Sequence, residues 1–298
     1  MHTFIIGLYG GFDEKKYERD FRQGFYGIEA CLFETEADIS RLSAASKERH
    51  FQIGIHFPLR KDAARLRDAL FLAKEEHVRQ DALDYIDREL AAVAEIQPAY
   101  MLFHYPKPVI LDDRVDWSRW NFTDPREYVY ESEYGQEEWA DKTERLFSWL
   151  AVKAREYRVT PVLEFDALNR YVYESPFLAS LLDRYPEIRL CLDVGRLYVQ
   201  ERIDPFFDAK KVLEMYGKYA LTVHLWNMKI TDAFEYNHHP ALPSCKPEDG
   251  WAPIEEYLRI IKRENPRVKI VFEHRSDRIS DEQLDDCYRW IDRIMNQP

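Results

Sequence analysis

A single-domain (β/α)8 barrel, the TIM-barrel form of the α/β class, is the fold that this sequence predicts. Three observations favour it: eight short apolar runs recur along the chain, helical patterns separate them, and the length of 298 residues suits one large barrel. Runs that are apolar almost without a break are typical of parallel strands buried on both faces. Strand–helix alternation repeated eight times closes such a sheet into a barrel. Because no linker interrupts the pattern, we assign residues 1–298 to one domain.

Each apolar run is predicted to be one barrel strand. An open doubly wound sheet is the alternative, but the Gly10–Gly11 pair lacks the spacing of a phosphate-binding loop and no GK[ST] motif occurs. The count of eight therefore favours the closed barrel. The predicted strands are residues 4–10, 27–33, 52–58, 99–106, 161–167, 189–195, 220–226 and 269–275.

The segments between the strands show helical periodicity and capping signals. Thr35 with Asp38, and Ser280 with Gln283, resemble capping boxes at helix N-termini. The predicted helices include residues 77–97, 136–157, 208–217, 253–264 and a last helix that ends near residue 295.

Three strand-to-helix connections are long, and in a barrel all three would cover the C-terminal mouth, where active sites are built. They span residues 57–76, 105–135 and 226–251. The first is long enough to hold a helix of its own and is basic, with Arg60, Lys61, Arg65 and Arg67.

Composition narrows the class of protein. The net charge is −12, which argues against nucleic acid as a general partner because such proteins usually carry a basic face. Among four cysteines without a CxxC motif, Cys31 and Cys191 lie in apolar runs and are interpreted as small core residues, in keeping with a reducing compartment. No signal-peptide pattern occurs and no apolar run reaches the ~18 residues of a membrane span. We therefore expect a cytoplasmic protein with no membrane partner.

Six predicted strands end in a residue that can bind a metal or move a proton. The run RLCLDVG, for example, is apolar up to Asp193 and is predicted to break at Gly195. A single histidine in such a run is more often a core residue, but convergent carboxylates without a cation would raise one another's pKa values. A divalent cation removes that conflict, so we predict a metal site. The six residues are His56, His104, Glu164, Asp193, His224 and Glu273.

Mixed histidine and carboxylate ligands suit Zn²⁺, Mn²⁺, Co²⁺ or Fe²⁺ better than Ca²⁺, and they do not choose among these ions or exclude Mg²⁺. Glu164, Asp193, His224 and Glu273 would form one site. His56 and His104 would either join Glu164 in a second metal site or form hydrogen bonds to a substrate.

The order and spacing of these motifs resemble the xylose isomerase-like TIM-barrel superfamily over essentially the whole chain. The resemblance is carried by GFYGIEACLF, the two histidine-ended strands, LEF, CLDVG, VHLWN, FEH and the late stretch HHPALPSCKPEDGW. This superfamily includes sugar and sugar-phosphate isomerases and epimerases, and abasic-site nucleases of the endonuclease IV type (AP endonuclease family 2).

The resemblance implies roles for individual residues. Glu164, Asp193, His224 and Glu273 match the four metal ligands of the family, and Glu164 with Glu273 match its acid/base pair. The implied chemistry is removal of a proton beside a carbonyl, with an enediolate stabilised by the cation. The residues do not separate isomerase, epimerase and dehydratase reactions.

The nuclease branch is matched less well. Its first zinc site has histidines at the positions of His56 and His104, but its third zinc would require ligands where this chain has Arg196, Asn237 and His239. Arginine has no lone pair to offer a metal and asparagine is a weak zinc ligand. Cleavage of abasic DNA by an endonuclease IV-like phosphodiesterase is therefore the alternative, followed by a barrel that binds a sugar or metal without turnover.

The remaining site predictions concern the substrate. Arg196 has two interpretations: an ion pair with a carboxylate such as Asp232 or Asp193, or recognition of a substrate phosphate or carboxylate by its forked guanidinium. The additional predicted substrate-binding residues are Trp226, Lys229, His239 and Arg275. We expect a small sugar or sugar phosphate as substrate and, since family members often pair, a homodimer; the residues do not identify the sugar.

Overall fold

The computed structural model describes residues 2–61 and 66–296 and confirms the predicted (β/α)8 barrel. The strands are β1 (Phe4–Tyr9), β2 (Gly27–Phe33), β3 (Gln52–Arg60), β4 (Tyr100–Tyr105), β5 (Val109–Leu111), β6 (Tyr128–Tyr130), β7 (Thr160–Phe165), β8 (Arg189–Asp193), β9 (Ala220–Leu225), β10 (Asn227–Ile230), β11 (Phe234–His239) and β12 (Lys269–Phe272). The helices are α1 (Glu14–Asp20), α2 (Glu36–Arg49), α3 (Glu76–Val93), α4 (Gln136–Tyr157), α5 (Arg170–Tyr173), α6 (Phe177–Arg184), α7 (Val194–Ile203), α8 (Ala209–Tyr216), α9 (Ile254–Glu264) and α10 (Asp281–Asn296).

The barrel closes through eight parallel strands in the order β1, β2, β3, β4, β7, β8, β9 and β12, with β12 paired back to β1. The other four strands lie in the long connections over the mouth. β5 pairs with β6 in parallel, and β10 pairs with β11 as an antiparallel hairpin. The sequence did not predict these pairs, because three-residue strands are too short to display a periodicity and most of β11 is polar.

The predicted break at Gly195 is wrong. β8 ends at Asp193 and α7 begins at Val194, so Gly195 lies in the first helical turn. The Asp193 side chain caps this helix by accepting a hydrogen bond from the Arg196 backbone N–H at 3.0 Å. Gly195 is required for another reason: a Cβ atom there would overlap the Trp226 indole. Because Gly195 has no side chain, the Trp226 ring can pack directly against α7.

The predicted caps are confirmed. Thr35 accepts from the Asp38 N–H at 3.1 Å, and Ser280 and Gln283 each accept from the other's backbone N–H at 3.2 and 3.0 Å. In the connection that precedes α3, residues 66–75 contain no helix, whereas residues 62–65, including Arg65, lie outside the described residues. No helix in the described part of the chain is long and apolar enough to cross a membrane.

The barrel interior has an apolar layer below a polar layer. Side chains two residues apart on a strand face the same side, so Leu102 and His104 both point inward, as do Val162 and Glu164. The strand register brings the polar ends together, with His104 opposite Glu164 and Asp193 opposite His224. The buried apolar layer consists of Ile5, Tyr100, Leu102, Val162, Cys191 and Val271.

Candidate metal centre

Four of the predicted ligands converge at the C-terminal mouth of the barrel. Glu164, Asp193, His224 and Glu273 each offer a ligand atom, and these atoms lie within 4.8 Å of one another. We call these four residues the carboxylate–histidine cluster. They come from β7, β8, β9 and the residue after β12, which are consecutive around the barrel. Closure of the sheet, rather than proximity along the chain, assembles the cluster.

His224 lies at the centre of this cluster. Its Nδ1 atom is 3.0 Å from Glu164 Oε1 and 3.2 Å from Glu273 Oε2. Although these distances are short, both ring nitrogens of His224 and both carboxylate oxygens of Glu164 are buried without a hydrogen bond of acceptable geometry. The ring nitrogens of His224 and the Glu164 oxygens therefore lie close together without forming hydrogen bonds.

This arrangement fits a bound cation. Ligand atoms about 2.0–2.2 Å from a shared ion lie about 3–3.5 Å from each other and point at the ion, not at their neighbours. Two carboxylates and one imidazole nitrogen at such spacings match the donor set of a divalent transition metal. An ion at this position would also satisfy buried polar atoms that otherwise carry a desolvation cost.

The three carboxyl groups of the cluster have pKa values shifted in opposite directions. Burial alone would raise the pKa of Glu164, but the charges of His224 and His104 outweigh it and hold that pKa well below its usual range. Burial is likewise outweighed at Glu273, where His224 brings the pKa to about 2. At Asp193, burial together with the Glu164 charge raises the pKa to about 7. The expected rise in pKa thus occurs at Asp193 but not at the two glutamates, because the nearby charge of His224 lowers the pKa of both.

A buried carboxylate on β2 orients His224, and the sequence interpretation missed it. Glu29 Oε1 lies 2.9 Å from His224 Nε2, and the Tyr100 hydroxyl donates to Glu29 Oε2 at 2.7 Å. Gly54 makes room for the Tyr100 ring, which a Cβ atom would overlap. A carboxylate behind a ligating histidine fixes the ring and its tautomer. Although Nε2 of His224 forms no well-aligned hydrogen bond here, its 2.9 Å separation from Glu29 Oε1 is close enough for Nε2–H to donate to Glu29 after a small ring rotation, which would leave Nδ1 free to face the cluster.

Asp193 is held by two neighbours. The Trp226 indole N–H donates to Asp193 Oδ2 at 3.1 Å, and Arg196 Nε lies 3.2 Å from the same oxygen. Trp226, which we predicted to contact substrate, thus orients a carboxylate of the cluster. Arg196 also donates to Asp166 Oδ1 at 3.1 Å. The ion-pair interpretation of Arg196 is supported with Asp193 and Asp166 as its partners, while its binding of a substrate anion stays a prediction.

His56 and His104 lie beside the cluster and share Glu164 with it. Their Nε2 atoms are 3.3 and 3.1 Å from Glu164 Oε2, and the three residues form a second group able to hold a metal. However, Arg196 Nη2 lies 3.5 Å from His104 Nε2. A guanidinium already occupies the vicinity of the atom that would bind the second ion.

A network of buried charges supports this side of the centre, and the sequence interpretation missed it too. Lys107 Nζ lies 2.8 Å from both Asp68 Oδ2 and Asp166 Oδ2. Asp68 also contacts His104 Nδ1 at 3.0 Å. Two carboxylates hold the pKa of Lys107 above its usual value despite burial, so the ammonium is charged. Protein cations therefore compensate Asp68 and Asp166.

The cluster opens into one cavity of about 840 Å³ at the barrel mouth. Glu273, His56, Glu29 and Arg196 line its inner part. Glu273 is the accessible carboxylate of the cluster, with its side chain 32% exposed, whereas the Glu164 side chain is 0% exposed. A ligand in this cavity can touch Glu273 directly.

The other predicted substrate-binding residues lie farther out. Arg275 lines the cavity but pairs with Asp277 at 2.8 Å. Lys229 lies on the β10–β11 hairpin opposite Glu235. His239 packs against Trp251, with ring centroids 5.0 Å apart. Neither Lys229 nor His239 is among the described residues that line the cavity. The neighbouring His238 does line it, and its ring stacks on Trp226 with the ring centroids 4.3 Å apart.

No family model and no curated protein matches this sequence. Solved structures match nearly all of it: a D-tagatose 3-epimerase-like protein (15% identical, 98% of each chain covered, TM-score 0.64), the 3-keto-D-glucoside 4-epimerase YcjR of E. coli (15%, 97% and 98%, 0.60) and the IolI protein with a bound zinc atom (11%, 98% of each, 0.61). At such identities the likeness concerns the fold. This chain therefore shares the (β/α)8 barrel fold of these solved structures.

Proposed function

We propose that the protein is a metal-dependent isomerase or epimerase of a small sugar or sugar phosphate. The observation that carries the proposal is the carboxylate–histidine cluster, in which Glu164 and His224 are buried without hydrogen-bond partners. The sugar epimerases among the structural neighbours support the same class of reaction. The neighbour with a bound zinc atom supports metal binding by a protein of this fold.

A divalent ion held by Glu164, Asp193, His224 and Glu273 would polarise a carbonyl and its neighbouring hydroxyl. The residues of the chain then supply the proton transfer. Glu273 is ionised and accessible, so its carboxylate takes the proton from the carbon beside the carbonyl. Glu164, whose Oε1 lies 3.0 Å from His224 Nδ1, is the second carboxylate of the acid/base pair. Return of a proton to the opposite face inverts that carbon, and return to the neighbouring carbon isomerises the sugar.

A two-metal phosphodiesterase is the second candidate, because His56, His104 and Glu164 form a second potential ligand group. Two observations weigh against it. Arg196 approaches His104 Nε2, and Lys107 neutralises Asp68 and Asp166. Each cation would repel a second metal ion at this side of the centre.

Solvent-proton exchange tests the first proposal without knowledge of the product. The metal-loaded protein is incubated in D₂O with a panel of ketoses, aldoses and their phosphates, and deuterium at the carbon beside the carbonyl is measured by NMR. We expect incorporation with at least one sugar and its loss in Glu273→Gln. Cleavage of abasic-site duplex DNA, with no exchange into any sugar, would contradict this function and favour the phosphodiesterase.

A further inference from the structure

We infer that the outer part of the mouth cavity, lined by Tyr9 and Arg67, binds the negatively charged group of an acidic sugar. This inference rests on the proposed function and names its substrate class: a sugar that carries a carboxylate or a phosphate. We call this part of the cavity the Arg67 subsite.

Among the described residues, Arg67 has no carboxylate oxygen within salt-bridge distance, although the nearby charges of Cys31 and Asp68 raise its pKa despite burial. Within residues 2–61 and 66–296, the other arginines that line the cavity each form an ion pair: Arg19 with Asp281 at 2.7 Å, Arg196 with Asp166, and Arg275 with Asp277. Arg67 has only weak contacts, with its Nη2 3.7 Å from Cys31 Sγ and its guanidinium 6.0 Å from the Tyr9 ring centre.

Among the described residues of the basic connection before α3, Arg67 is the cation that lines the cavity. Arg60 turns away to Glu89, 2.6 Å distant, and Lys61 pairs with Glu34 at 2.6 Å. Arg67 instead lines the cavity together with His56 and Glu273. A ligand that reaches Glu273 with its reacting carbon therefore shares one continuous space with the Arg67 guanidinium.

Tyr9 adds a surface suited to a sugar. Its side chain is 69% exposed, the largest exposure among the large hydrophobic residues described, and it lines the same cavity at the end of β1. An exposed aromatic ring beside an unpaired guanidinium offers an apolar face and a forked pair of donors. Because the chain carries a net charge of −12, selection of an anion requires such a local cation.

Binding to the metal-loaded protein tests the subsite directly. Calorimetric titrations compare D-fructose, D-fructose 6-phosphate and D-fructuronate, so that the two charged sugars separate phosphate from carboxylate recognition. We expect at least one charged sugar to bind the unaltered protein at least tenfold more tightly than D-fructose. Arg67→Gln should weaken the binding of that sugar about 10- to 100-fold, since one charge-assisted contact is lost. The affinity for D-fructose should change by no more than about twofold. Arg67→Lys keeps the positive charge but loses the forked pair of donors. Its affinity for the charged sugar should therefore lie between those of the unaltered protein and Arg67→Gln.

Arg49→Gln is the matched control. Arg49 is also exposed over a tyrosine ring, 5.2 Å from the centre of Tyr17, but it ends α2 at the opposite end of the barrel. Arg49→Gln removes the same charge as Arg67→Gln. We expect it to leave the affinities for D-fructose, D-fructose 6-phosphate and D-fructuronate unchanged. Equal binding of charged and neutral sugars by the unaltered protein, or an unchanged preference in Arg67→Gln, would overturn the inference.

Failure of the subsite and failure of the proposed function give different results. If deuterium enters neutral sugars and Arg67→Gln changes nothing, the isomerase remains and the subsite is wrong. If charged sugars bind through Arg67 without proton exchange in any of them, the subsite remains and the isomerase is wrong.

Discussion

Substitution of Glu29 tests whether this carboxylate sets the tautomer of His224 for metal binding. The Glu29 carboxylate lies 2.9 Å from His224 Nε2 and accepts the Tyr100 hydroxyl at 2.7 Å. In Glu29→Gln, the amide oxygen is the group that can accept from Tyr100, which turns the amide NH₂ toward His224. Nε2 must then accept, so the ring proton moves to Nδ1, the atom that faces Glu164 and Glu273. His224 would lose its lone pair on the metal side.

The expected effect is a loss of metal affinity. Changes of such outer partners cost about 10- to 100-fold, or about 1.4–2.8 kcal/mol, and the reversed tautomer places Glu29→Gln at the upper end. Competition titration of Zn²⁺ or Mn²⁺ against a chelating dye measures it. Tyr100→Phe keeps the ring beside Gly54 and the Glu29 charge, so we expect a loss of less than about tenfold.

Glu89→Gln is the control for removal of a buried carboxylate. Glu89 is 0% exposed and lies on α3, where Arg60 Nη2 donates to it at 2.6 Å. We expect reduced stability and an unchanged metal affinity. If Glu29→Gln binds metal as tightly as the unaltered protein, or no more weakly than Glu89→Gln, the role assigned to Glu29 is wrong.

Three further predictions concern catalysis, metal number and stability. Glu273→Gln should slow solvent-proton exchange into the sugar by at least about 100-fold, because the accessible carboxylate is the proposed base. Arg196→Met should allow a second ion to bind at His56 and His104, since the guanidinium near His104 Nε2 is removed; metal analysis of the saturated protein measures the ratio. Ser280→Ala should lower the free energy of unfolding by about 1 kcal/mol in urea, because α10 loses the hydroxyl that accepts from the Gln283 N–H.

Each of these predictions has its own contradicting result. Exchange that persists in Glu273→Gln would assign the base elsewhere. An unchanged metal ratio in Arg196→Met would mean that the guanidinium is not what excludes a second ion. Ser280→Thr preserves the capping oxygen and should be nearly neutral, so equal losses in Ser280→Thr and Ser280→Ala would show that the cap is not responsible.

The sequence predicted the barrel and the cluster because both leave local signals. A carboxylate or histidine that ends an apolar strand stands out, as Glu164 and His224 do, and closure of a parallel barrel brings such ends together. Boundaries were predicted less well. Gly195 indicated a chain break, but its role is to admit the Trp226 ring, a contact between elements that no local pattern reveals.

The supporting residues were missed for the same physical reason. Glu29 lies in the middle of an apolar run, and only its alternation with neighbouring residues could have placed it on the inner face. Asp68 and Lys107 follow their strands in long connections, where charged residues usually face solvent. Their burial depends on one another, since each needs the partner's charge, and pairing of that kind is a property of the folded chain.

The most direct test of the account is metal analysis of the purified protein combined with anomalous diffraction from metal-loaded crystals. We expect one divalent ion per chain, held by Glu164, Asp193, Glu273 and Nδ1 of His224. An ion bound only between His56 and His104, or no stoichiometric ion after loading with Zn²⁺, Mn²⁺, Co²⁺, Fe²⁺ or Mg²⁺, would contradict it.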